Sequence, residues 1–129
     1  MLQNTCDAKR IIGVKICERL RAEIDKLGFP EGTIIDYPYY HLASFSLIQD
    51  PYTGDGNLAG YWCNKRDKRR IERIGRLQFN SDGSFYAEYD VVKPHPKKPD
   101  WFVEAVTVWG KEDNIKAEAR LLPMLAENS

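Results

Sequence analysis

Two histidines, His41 and His95, and three cysteines, Cys6, Cys17 and Cys63, are the side chains best suited to metal binding, proton transfer or nucleophilic attack. Their spacing supports none of these. The histidines form no HxH or HExxH pair, and the cysteines stand eleven and forty-six residues apart, with no close pair to share a zinc ion. An odd number of cysteines also closes no complete disulfide framework. Cys17, on the apolar face of an expected helix, and Cys63, after Tyr61 and Trp62, read as small buried hydrophobes. There is no GxSxG and no GxxxxGK[ST]. Gly54-Asp55-Gly56 lacks the ladder of carboxylates and the terminal glutamate of a calcium loop. Glu88 and Asp90 are same-face neighbours on an expected strand, and Asp82 sits in a turn, so these acids read as a solvated face rather than an acid–base pair. The expectation is a non-enzymatic chain with no metal and no cofactor.

The most unusual segment runs from Asn64 to Arg76. Lys65, Arg66, Lys68, Arg69, Arg70, Arg73 and Arg76 face only Asp67 and Glu72, a local excess of five positive charges beside Tyr61 and Trp62. Such a concentration suits an acidic protein surface, or phosphates with aromatic rings available for stacking. Its binding would weaken as salt is added. A second cluster is aromatic: Tyr39, Tyr40, His41, Tyr61, Trp62 and Trp101 would line a small-molecule pocket if a curved sheet and a helix enclosed them.

The elements that must position these residues are legible from patterning. The 129 residues include 19 basic and 19 acidic side chains, are 43% hydrophobic and 12% aromatic, and fit a single domain over 1–129. Zero net charge excludes a protein that attracts polyanions over its entire surface. No run approaches a membrane span, and MLQNTCDAKR lacks the apolar stretch of a secretory signal, so a cytoplasmic location is expected.

Ile12, Ile16, Cys17, Leu20, Ile24 and Leu27 recur at helical steps and predict an amphipathic helix from about Ala8 to Leu27, stopped by Gly28 and Pro30. β-type composition follows. Strands are expected over Thr33–Tyr37, His41–Gln49, Leu58–Asn64, Arg73–Phe79, Phe85–Val92 and Trp101–Trp109, the last as a central strand covered on both faces. Asp50–Gly60 is turn-rich, and Asn80-Ser81-Asp82-Gly83-Ser84 has hairpin composition. From Glu112 to Leu122 alternation argues for a strand while residue type argues for a helix. Propensity favours a short C-terminal helix. The fold class is therefore α+β: an N-terminal amphipathic helix packed on an antiparallel sheet of four to six strands, with that short C-terminal helix.

The stretch Ile74-Gly-Arg-Leu-Gln-Phe-Asn-Ser-Asp-Gly-Ser-Phe-Tyr-Ala-Glu-Tyr-Asp90 resembles a hairpin of small bacterial immunity or antitoxin proteins of the YezG-like type, where a strand, a DG turn and an aromatic/acidic strand also follow an amphipathic helix. The resemblance implies a non-enzymatic protein that binds and neutralises a partner. The leading reading is thus macromolecular binding, most simply of a protein, with Lys65, Arg66, Lys68, Arg69 and Arg70 on a basic side and Glu88 and Asp90 on an acidic side. The aromatic pocket, with a small molecule or a reaction in it, is the alternative, and nucleic-acid binding through residues 65–76 is the second.

Overall fold

In the computed structural model, residues 2–49, 56–63, 73–80 and 82–124 are described, with side chains for 10–45, 58–63, 73–80 and 82–124. An N-terminal helix α1 (Leu2–Lys26) and a short 3-10 turn (Tyr40–Leu42) precede six strands: β1 (Ser44–Gln49), β2 (Gly56–Cys63), β3 (Arg73–Phe79), β4 (Phe85–Pro94), β5 (Trp101–Lys111) and β6 (Asn114–Pro123). Every strand pairs antiparallel with the next, so the sheet is an open meander in sequence order. Among the described residues no helix is long and apolar enough to cross a membrane.

The helix covers the apolar stripe and begins at Leu2, six residues before the expected start at Ala8. Ile16, Leu20 and Ile24 are at most 1% exposed, and Cys17 and Leu27 are buried beside them. They rest on the sheet face that carries Leu77, Phe79, Phe85, Ala87, Tyr89, Val91, Val103, Val106 and Val108. Burying a side chain of this size contributes roughly 1.5–3 kcal/mol, so this one interface dominates the fold's stability. Burial also pushes the Cys17 thiol up to about 12, which keeps it protonated and inert. Leu27 and Gly28 close the helix, Gly28 with φ 84°, the left-handed conformation that glycine adopts without a Cβ clash.

Strand period two sorts the rest. Trp62, Gly75, Tyr89, Val106 and Ala119 form one cross-strand row facing the helix, and Gly60, Leu77, Ala87, Val108 and Ala117 form the next. The β3–β4 loop closes as its composition requires: Asn80 N donates to Ser84 O at 2.9 Å, Asp82 Oδ1 accepts from Ser84 N at 2.9 Å, and Gly83 takes φ 89°. The β4–β5 register shifts between Asp90 and Lys93, and this bulge puts Val92 at φ 52° with its side chain 60% exposed.

Two expectations are corrected. Residues 114–123 form β6, not a C-terminal helix. Ile115, Ala117, Ala119 and Leu121 alternate toward α1, and pairing with β5 from Trp101↔Pro123 to Lys111↔Asn114 outweighs a helix preference worth only tenths of a kcal/mol per residue. Thr33–Tyr37 is no strand either. That segment is held by side chains instead of a ladder: Arg21 Nη1 donates to Pro38 O at 2.8 Å, Tyr37 Oη donates to Asp25 Oδ1 at 3.1 Å, and Trp62 Nε1 donates to Tyr39 O at 2.9 Å.

Candidate functional site

The helix lies on one face of the sheet, and among the described residues no element packs on the other, so β5 is interior to the sheet but not covered on both faces as its apolar run had suggested. The outer face is built from the alternate residues of the same strands. Tyr61, Arg76, Glu88, Thr107 and Glu118 make one row across it, and Asp90, Ala105 and Arg120 make the next. Gln78, Tyr86, Trp109 and Lys116 form a third.

These side chains are organised by stacking and charge. The Arg73 guanidinium lies 3.9 Å over the Tyr61 ring, and that of Arg76 lies 5.2 Å over Tyr86. Glu88, half-buried at the centre, accepts from Arg120 Nη1 at 3.0 Å and from Tyr86 Oη at 3.0 Å, with Arg76 Nε 3.9 Å away. Arg120 also stands 3.9 Å from Glu104. Asp90 shares the face on different terms. Burial, then the nearby charges of Glu88 and Glu104, push its carboxyl above the usual range, and Arg120 offsets this only in part.

Tyr61, Arg73, Gly75, Arg76, Glu88 and Asp90 surround a depression of about 320 Å³. Arginines form its β3 side and carboxylates its β4 side. Planar guanidiniums held beside rings can present N–H edges to an acceptor. Among the described residues no group of three histidine, cysteine or acidic side chains is placed to hold a metal ion.

Glu88 and Asp90 therefore sit together on this face, as the shared strand parity requires. Lys65, Arg66, Lys68, Arg69 and Arg70 lie outside the described residues. The chain leaves that segment at Arg73, on the rim of the depression, and enters it after Cys63, two residues beyond Tyr61.

The six residues of the expected aromatic pocket are not brought to one place. Tyr39 and Trp62 line an apolar cavity of about 320 Å³ on the helix side, with Ile35, Tyr37, Leu42 and Tyr89 among its other walls. Tyr61 is on the opposite face because it adjoins Trp62 in one strand. Tyr40 lies against Gly13 of the helix and packs on Phe45 with ring centroids 4.9 Å apart. His41 is exposed, its ring 5.7 Å from that of Tyr39, and Trp101 is 40% exposed at the start of β5.

Sequence reasoning missed Arg120 and Trp109 as members of the outer face. The signal for Arg120 was the alternation of residues 115–121, which places it opposite Ala119 and Leu121 once the segment is read as a strand. Against models of known families, curated proteins and solved structures, the chain finds no match.

Proposed function

We propose that this chain is a small non-enzymatic protein that acts by binding a partner protein through the outer face of its sheet, extended by the basic segment 65–70, in the manner of an immunity or antitoxin protein. The observation that carries this reading is the open face itself. Among the described residues, a six-stranded sheet covered on one side presents tyrosine, tryptophan and arginine on the other, the residue types that anchor protein interfaces. Its charges are divided, with Arg73 and Arg76 on β3 and Asp90 and Glu104 on β4 and β5. That division favours a partner with charges of both signs over a polyanion, and so ranks a protein above a nucleic acid. The hairpin resemblance agrees, since it implies neutralisation of a partner.

The test is capture from lysate by the wild-type chain and by a Lys68→Glu/Arg69→Glu/Arg70→Glu variant, at low and raised salt. The reading expects a discrete protein partner lost in the variant and weakened by salt. Identical partner profiles would remove the basic segment from the site, and retention of DNA or RNA alone would favour nucleic acid.

One observation favours a second reading. The cavity between Tyr39, Leu42, Trp62 and Tyr89 is mostly apolar and of small-ligand size. A thermal-shift screen with metabolites distinguishes the two: stabilisation that Leu42→Trp abolishes supports a ligand pocket, and no shift at saturating concentrations supports the binding protein.

A further inference from the structure

The meander ends in an open edge. β6 is ten residues long and hydrogen-bonds only to β5, so its outward N–H and C=O groups meet no strand among the described residues. Its helix-side row is unfinished as well. Ile115, Ala117, Ala119 and Leu121 are each half-buried, whereas Val103, Val106 and Val108 on the adjacent strand are fully buried. On the outer side the charges alternate: Lys116, Glu118, Arg120.

We propose that β6 is the pairing edge for a second copy of this chain, the two strands running antiparallel about a two-fold axis at Ala119. The charges argue for that occupant and for an axis at an alanine rather than at a charged residue. With the axis at Ala119, Glu118 stands opposite Arg120 of the second copy, twice by symmetry, and Ala117 stands opposite Leu121 on the helix side. An axis one residue earlier would set Glu118 against itself and Lys116 against Arg120, which like-charge repulsion disfavours. Pairing of this kind preserves the two faces. Both helices fall on one side of a continuous sheet, and the two Arg/Tyr faces join on the other. A single-strand seam buries less than the roughly 800 Å² per partner of a stable interface, so the dimer is weak and reversible.

Sedimentation velocity on the full chain tests this. Monomer is expected to give way to dimer as concentration rises to about 100 µM. Glu118→Arg, an exposed substitution that sets arginine against arginine, is expected to raise the dissociation constant at least about tenfold. Position gives a second readout. In a Cys6→Ser/Cys63→Ser background, Ala119→Cys is expected to form a disulfide-linked dimer under copper–phenanthroline, and Lys116→Cys is not. A wild-type chain that stays monomeric throughout overturns the proposal, as does a dimer that tolerates Glu118→Arg and cross-links equally from position 116.

Discussion

The two faces of the sheet come from the same strands and do opposite things. On the helix side, alternate residues are apolar, fully buried on β4 and β5 and half-buried on β6. Their energy is set by area, and no individual pair carries much of it. On the outer side, long part-exposed polar and aromatic residues lie over the buried Ala59, Ala105 and Thr107, held by ring stacking and by the contacts around Glu88. Exposed ion pairs of that type contribute about 0–1 kcal/mol each, so the outer face adds little to folding. On the proposed reading, that order serves recognition. What one face supplies in stability, the other supplies in a pre-organised surface.

Substitutions should separate the two. The largest effect belongs to the helix side: Leu20→Ala, at a fully buried position, is expected to cost about 2–5 kcal/mol, read as a lower midpoint in urea unfolding. Next comes Gly75→Ala. An added Cβ there would stand 2.8 Å from the Glu88 carbonyl oxygen and 3.0 Å from Trp62, which forces backbone or core to shift. A loss of about 1–3 kcal/mol is expected by the same measurement.

On the outer face the numbers fall. Arg120→Ala removes the 3.0 Å bond to Glu88 and should cost about 1 kcal/mol, with circular dichroism unchanged. A loss as large as that of Leu20→Ala would erase the distinction between the faces. The smallest effect has an informative sign. The Asp90 carboxyl is raised above the ordinary aspartate value, so the folded state holds its proton more tightly than the unfolded state. That contribution is present at low pH and lost as pH rises through the raised value. Asp90→Asn is therefore expected to unfold slightly later than wild type at pH 7, with the difference shrinking below the ordinary carboxylate range.

Legibility followed the strength of periodicity. The stripe from Ile12 to Leu27 was unambiguous because one period accounts for Ile12, Ile16, Cys17, Leu20, Ile24 and Leu27, with only Val14 and Ala22 outside it. The β3–β4 hairpin was equally plain, since turn chemistry and alternation agree around Gly83. Residues 114–123 misled because their alternation is written in alanine, glutamate, lysine and leucine, helix formers whose local preference is outweighed by pairing with β5. The aromatic pocket was drawn from proximity in sequence. Tyr61 and Trp62 adjoin in one strand and must point apart, so parity alone separates them. Stacking of Arg73 on Tyr61 had no sequence signal, because it depends on the β2–β3 register and its bulge after Trp62.

The claim that recognition belongs to the outer face is tested most directly by quantitative capture with one variant per face. Tyr61→Ala/Arg73→Ala alters the outer stack, and Tyr39→Ala/Leu42→Ala alters the helix-side cavity. With both variants folded, the outer-face pair is predicted to lose the partner that wild type captures while the cavity pair retains it. Retention at wild-type yield by the outer-face variant, with loss from the cavity variant, would contradict the account.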